Sequence, residues 1–505
     1  MRQLLSLFLS LVLLASLTAC GQTDPPDGST SAISAGDVSQ SGTDSPVLPP
    51  LTLPVFPSFS LHPSLGVNRA NLTLSPLLYE GLFQLDAHFQ PVPVLCKDYT
   101  ANASQTVWTF TLGSGITFSN GTPLTGQVVA DALNLARSDQ GRYASRLTNV
   151  SSIVASEDTV TITLTRANGS LPTLLDIPIA LGSGTRPAGT GPYQLSGSDK
   201  HLVLTLRSDW WQHKPLPFET IPLHSVDKSD ELVYAFDAGN LSLLDVDLLS
   251  TNALGYGGNY QTWDYATTDL VYLGFNTRFG PCYSSEVRRA LSAAIDRSAI
   301  AQITYASHAV PSPLPVHPDS PLFDREIASQ LAYNPDILAS RLKSLGLSKR
   351  VLKLLVNSEN SAKVTTAQLI AYQLESAGLS IQLEQLPYED YVAALKWGGF
   401  DLYVGETVLT ADFNLAPLLS STGSLNYSGW QDWTTSTLIS ALNAASTDED
   451  RQLAASKLFT HLAQQAPMTP LVFKNGSALT QWGRLTGLNP LRGNVFYQLE
   501  NWTMQ

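Results

Sequence analysis

The sequence predicts an α/β protein of at least two lobes, and three observations carry that expectation. A single hydrophobic core stops growing at roughly 250–300 residues, so a chain of 505 residues divides. From Arg350 onward, apolar strand-like runs alternate with helical patterns of about ten to fourteen residues, the rhythm of βαβ units and a mostly parallel sheet. Near the middle, the strand-like run Leu270–Phe275 leads into Ser285–Ile300. There Val287, Ala290, Leu291, Ala294 and Ile295 draw one apolar stripe down a helix. A buried strand feeding a helix at that point marks the end of one core and the start of another.

Taken in order, the chain begins with a short cationic stretch, Met1-Arg-Gln3, and an apolar run from Leu4 to Leu17. That run has the length of a signal-peptide core and is short for a permanent membrane span. It ends in Leu17-Thr-Ala-Cys20-Gly21, the bacterial lipoprotein signal, in which the cysteine is acylated and becomes the first mature residue. Residues 1–20 are therefore expected to be removed or processed, leaving Cys20 as a lipid anchor outside the cytoplasm. From Gly21 to residue 53 the chain is mainly Ser, Gly, Thr, Asp and Pro, too polar to fold, and reads as a tether about 30 Å long end to end.

In the folded part, Val107–Leu112 alternates as a strand and Gly115–Phe118 is expected to return beside it after a Gly-Ser-Gly turn. Gly126–Arg137 follows a cap signal and reads as a helix. Thr159–Thr165, a stretch from Gly189 to Leu195 and His201–Leu206 read as further strands. In the second half, strands are expected at 350–356, 379–386 and 400–405, with helices at 364–377, 388–397, 435–445 and 448–465. The net charge of −13 and pI near 5.0 argue against a nucleic-acid partner, because phosphate binding wants a basic surface.

The ordered set Tyr79-Glu-Gly-Leu82, Pro91–Leu95, Trp108–Thr125, Gly189-Thr-Gly-Pro-Tyr193 and Phe275–Asp296 resembles the extracytoplasmic solute-binding proteins of peptide- and nickel-type ABC transporters (family 5). The resemblance covers roughly residues 53–505. It implies a two-lobed periplasmic-binding-protein fold of type II, large peptide-binding subclass, with a hinge and an interlobe cleft. The implied limits are 54–268 for the first lobe, with a subdomain at about 82–185, 269–474 for the second, and 475–505 returning to the first. It also implies a receptor for di- or oligopeptides that delivers them to ABC permease subunits; no feature of the sequence suggests an oligomer, so a monomer is expected. Proteins similar to this chain bind nickel chelates, haem or oligosaccharides, and a peptide sensor without transport uses the same scaffold, so the ligand stays open at this point.

Catalytic signatures are missing: there is no Gly-x-Ser-x-Gly elbow, no His-Glu-x-x-His and no phosphate loop. The Ser-x-x-Lys matches at Ser225–Lys228 and Ser340–Lys343 lack their companion motifs. An envelope hydrolase is accordingly the weaker alternative, and no metal or cofactor is expected. In similar peptide binders an aspartate after a second-lobe strand receives the peptide's α-amino group, and the matching stretch here points to Asp412. That stretch departs from the family pattern at Leu409, Asn414 and Ala416, and an aspartate there also suits a helix N-cap. Glu406 is a second candidate carboxylate. Tyr427 and Trp430, in Asn426-Tyr-Ser-Gly-Trp430, and Tyr403 are candidate aromatic contacts, with ordinary core packing as the alternative. Asp209-Trp-Trp211 resembles a scaffold feature. Cys96 and Cys282 form either a disulfide, permitted outside the cytoplasm, or two buried free thiols.

Overall fold

A computed structural model describes residues 50–198, 201–250 and 253–505. The expected signal segment, Cys20 and nearly all of the expected tether lie outside the described residues. The first core forms around a four-stranded sheet in which Leu53–Val55 runs parallel to Thr220–Ser225. That strand pairs antiparallel with His201–Leu206, which pairs with Tyr193–Ser198. Leu53, Val55, Leu202, Leu204 and Ile221 are buried on one side, and the chain's last stretch packs among them through Leu485, Phe496 and Trp502. Over this core, three side chains converge on one carboxylate: Trp210 Nε1, Trp211 Nε1 and Gln212 Nε2 donate to Glu80 at 3.3, 2.7 and 2.8 Å.

A second four-stranded sheet, antiparallel throughout, is built from Cys96–Ala101, Val107–Leu112, Thr159–Leu164 and Val150–Ser156, in that spatial order. Strict alternation puts Trp108, Phe110 and Leu112 on its covered face, under the helix Gly126–Ala136. Thr125 caps that helix, its hydroxyl accepting from Val128 N. The expected return strand at 115–118 does not form; Thr117 makes only an isolated bridge to Pro123, and Cys96–Ala101 and Thr159–Leu164 take the flanking positions instead.

The largest sheet has seven strands, ordered Leu243–Val246, Met468–Gln481, Tyr260–Phe275, Leu402–Val408, Val351–Asn357, Ser380–Leu386, with Ala309–Pro311 also on Met468–Gln481. The expectation of a mostly parallel sheet is corrected. The sheet's parallel pairings are the two that Val351–Asn357 makes with Ser380–Leu386 and Leu402–Val408; the two longest strands join the sheet antiparallel. The expected helix over 285–300 is two helices, Ser285–Ala293 and Arg297–Ile303, since Asp296 turns its side chain to cap the second, accepting from Ala299 N at 3.0 Å. Arg288 fixes the first by donating to the carbonyls of Gln465 and Ala466 at the end of helix Asp448–Gln465, where a helix has no N–H donors of its own left to satisfy them.

Tyr260–Phe275 and Met468–Gln481 run through two cores. Trp263 and Tyr265 pack against the first core, whereas Leu270, Val271, Tyr272, Leu273 and Phe275 are buried in the clusters around the second-half helices. Their register breaks where the change occurs: Tyr265 pairs with Gly476, and the next pair is Asp269 with Lys474. The extra residues of the bulge are held by side chains, Thr267 Oγ1 donating to Lys474 O and Thr268 Oγ1 to Leu409 O, both at 2.6 Å. The two cysteines are free thiols in different cores, Cys96 in the small unit and Cys282 in the second-half core. The buried-thiol alternative is therefore the one this structure displays.

Candidate functional site

Strand Val351–Asn357 has Ser380–Leu386 on one side and Leu402–Val408 on the other, so the sheet order reverses at its carboxyl end. Ligands of open α/β sheets gather outside strand ends at such a switch point. Polar groups converge there. Asn360 caps the helix Ser361–Ser376 by accepting from Lys363 N at 3.0 Å, and its amide donates to Glu406 Oε2 at 3.3 Å. Glu406 Oε1 receives Lys474 Nζ at 2.7 Å, Lys363 Nζ stands 3.5 Å from Oε2, and Lys474 is also 3.2 Å from Asp269 Oδ2.

This cluster sits at the strand break and is almost closed to solvent, the Lys474 side chain being 6% exposed. Burial pushes the Asp269 carboxyl up to about 6, although Lys474 pulls it back, and one Asp269 oxygen has no hydrogen-bond partner. Burial works against the Lys474 ammonium, but Asp269 and Glu406 outweigh it and hold its pKa above the ordinary range. The shorter contact makes Glu406 the principal counter-ion and Asp269 the less well served carboxylate.

A cavity of about 420 Å³ opens beside the first core. Its walls come from the start of helix Arg69–Thr73, from the strand Leu243–Val246 with the residues after it, and from Phe56, Phe59, Tyr256 and Phe496. Asp245 and Asp247, two apart along an extended segment, both line it. Asp245 is fully engaged: Arg69 Nη2 lies 3.1 Å from Oδ1, Tyr265 Oη donates to Oδ1 at 2.7 Å, and Thr73 Oγ1 donates to Oδ2 at 3.2 Å. Burial opposes the Arg69 charge, but Asp245, Tyr265 and Asp247 outweigh it. Asp247 accepts from Leu249 N at 3.0 Å and is near enough to act on Arg69, Asp269 and Lys474, which links the cavity to the charges at the strand break. Apolar walls with fixed groups of both signs suit a small zwitterion.

The residues expected from sequence fall in three places, and none lines this cavity. Glu406 belongs to the switch-point cluster. Tyr403 is buried on the sheet, with the half-buried ring of Tyr427 edge-on to it at 6.5 Å. Trp430 is buried, donates to Thr435 Oγ1 at 3.2 Å and has the Arg288 guanidinium 5.4 Å above its ring. Asp412 is buried and caps no helix; its oxygens accept from Thr410 Oγ1 at 2.5 Å and Asn168 Nδ2 at 3.3 Å. Arg69, Asp245 and Asp247 were missed. The alternation Leu244-Asp-Val-Asp247, two carboxylates on one side of an apolar strand end, was the available signal.

Two cores are joined by long strands whose register breaks between them, with a polar cluster at the switch point and a mixed-charge cavity beside the first core. The sequence profile of the bacterial extracellular solute-binding proteins, family 5 Middle, matches residues 90–426, and the chain belongs to that family. It is 25% identical over 384 residues to the glutathione-binding protein GsiB of Shigella flexneri serotype 5b (strain 8401), which spans 70% of this chain and 74% of that one. The fold matches the ABC transporter substrate-binding protein CtaP of Listeria monocytogenes with a TM-score of 0.72 and 18% identity, covering 90% of this chain and 99% of CtaP. It also matches the oligopeptide-binding protein AppA of Bacillus subtilis in complex with a nonapeptide, TM-score 0.60 and 17% identity, covering 90% and 97%. At those identities the structures establish the two-lobed fold. No helix among the described residues is long and apolar enough to cross a membrane.

Proposed function

We propose that this chain is the lipid-anchored binding component of an ABC importer, capturing di- or oligopeptides between its lobes and delivering them to a membrane permease. The single observation that carries the peptide reading is the cavity, which is lined by first-lobe residues and would form that lobe's share of the site, with Arg69 set to meet a carboxylate and Asp247 an ammonium within apolar walls. A glutathione-binding relative supports a short peptide, and a fold neighbour holding a nonapeptide supports the same class. Lobe limits at 268/269 and 474/475 are supported by the register break between Tyr265 and Asp269 opposite Lys474. The second lobe contributes Glu406 through the charge cluster, whereas Tyr403 and Trp430 are buried in its core with Tyr427 packed against them. Asp412, already engaged by Thr410 and Asn168, is left out of the ligand contacts. The anchor at Cys20 rests on the sequence signal.

Calorimetric titration with glutathione and a panel of di- and tripeptides tests the reading. Saturable binding at one site is expected, weakened at least about tenfold in Arg69→Ala and Asp247→Asn, the loss of one charge-assisted hydrogen bond each. Full affinity in both variants would remove the cavity from the account. Labelled palmitate incorporated by the wild type and lost in Cys20→Ala tests the anchor.

A further inference from the structure

The small four-stranded unit has a core of its own, yet two of its loops end in the second-half core. The hairpin Phe83–Leu85 and Pro91–Pro93 turns at Asp86–Gln90, where Asp86 Oδ1 accepts from His88 N and Gln90 N at 2.8 Å each. The turn holds Phe89 at φ 62, a conformation unfavourable for a residue with a side chain. Its ring is nevertheless 3% exposed, because it sits among Phe413, His317 and Phe473 of the other core, 5.2 Å from the first two centroids. Beside it His88 Nδ1 bonds Asp319 O at 2.9 Å.

The second loop follows strand Thr159–Leu164. Asn168 uses its side-chain oxygen locally, accepting from Ser170 N at 2.8 Å, and points its amide at Asp412. Gly169 N donates to Asn443 O at 2.7 Å at the end of helix Trp433–Ala444. A Cβ on Gly169 would lie 1.8 Å from Ala445 O, and the three nearest atoms it would meet all belong to Asn443 and Ala445. Its φ is outside the left-handed region, so the small unit alone has no need of glycine there. Glycine is needed by the contact.

We propose that Phe89, Asn168 and Gly169 are positioning residues that latch the small unit onto the second lobe and so set the population of the closed, ligand-holding state. Asp412 is the latch's receptor group, its other oxygen held by Thr410 Oγ1. The latch contributes to affinity without touching ligand, since contacts made only in the closed state shift the equilibrium toward it. The affinity readout rests on the peptide-binding reading; the conformational readout does not.

The test is Gly169→Ala in the full-length chain, carrying fluorophores at Ser152→Cys and Lys457→Cys, two exposed positions on opposite sides of the contact. Energy-transfer distributions without ligand are expected to move to longer distance, and affinity for a bound peptide to fall about tenfold. Asn168→Ala with Phe89→Ala should do the same by removing the contacts instead of wedging them. Unchanged distance distributions in both variants overturn the proposal. A Gly169→Ala chain that fails to fold overturns it too, because the contact would then be part of a single core and not a separable latch.

Discussion

Replacing Lys474 by methionine tests the reading of the strand break. The ammonium is nearly closed to solvent, 2.7 Å from Glu406 and 3.2 Å from Asp269. Methionine keeps most of the stem's packing and removes the charge, leaving two buried carboxylates. Removing one member of a buried pair costs about 3–5 kcal/mol, most of it the penalty of the orphaned charge. Lys363, 3.5 Å from Glu406, still serves one carboxylate, so the lower part of that range, about 3 kcal/mol, is expected. Urea unfolding followed by tryptophan fluorescence at pH 7 reads it. The deficit should shrink as the pH falls toward 5, because the orphaned Asp269 carboxyl, already raised to about 6 in the wild type, escapes by taking a proton. A loss under about 1 kcal/mol at pH 7, or a deficit that grows on acidification, would refute the reasoning.

Three further outcomes follow from other sites. Asp269→Asn isolates that carboxyl's titration. Its folded pKa lies above the unfolded value near 4, so the wild type should lose stability relative to the variant as pH rises from about 4 to 6 and then level off, by up to ~3 kcal/mol. A flat difference across that window would show that Asp269 is not held out of its ordinary range. Glu80→Ala leaves the indole N–H groups of Trp210 and Trp211 and the Gln212 amide without their acceptor, for an expected loss of about 2–4 kcal/mol by chemical denaturation; a change within 0.5 kcal/mol, about the size of an ordinary surface substitution, would count against it. Thiol titration of the chain from residue 22 should find Cys96 and Cys282 unreactive when native and both reactive when denatured without reductant, and a disulfide-linked peptide would contradict this.

Much of the scaffold was legible because its signals are local. The helices Tyr388–Trp397 and Asp448–Gln465 coincide with the ranges read from periodicity. Capping residues and glycine turns punctuate the chain as they do the structure. Features set by tertiary contact were not legible. The apolar run Leu270–Phe275 is only the buried end of a 16-residue strand, whose polar first half is a strand because Met468–Gln481 pairs with it. The helix stripe through Ala294 and Ile295 ignores the break that Asp296 imposes by capping the following helix. At the site, Glu406 was found because it ends an apolar strand, but its partners Lys474, Lys363 and Asp269 are distant in sequence and meet only in the folded sheet. Trp430 and Tyr403 have the residue types of a binding wall and the burial of a core, a distinction that sequence does not contain.

The central claim is that a peptide is held at the mixed-charge cavity of the first lobe. Native mass spectrometry of the chain from residue 22, straight after gentle purification and again after addition of a mixed peptide digest, tests it most directly. The account predicts one adduct per chain that fragments into amino-acid residues, and its loss in Arg69→Ala and Asp247→Asn. A clean unliganded mass before and after the digest, with adducts forming instead on metal chelates or sugars, would contradict it.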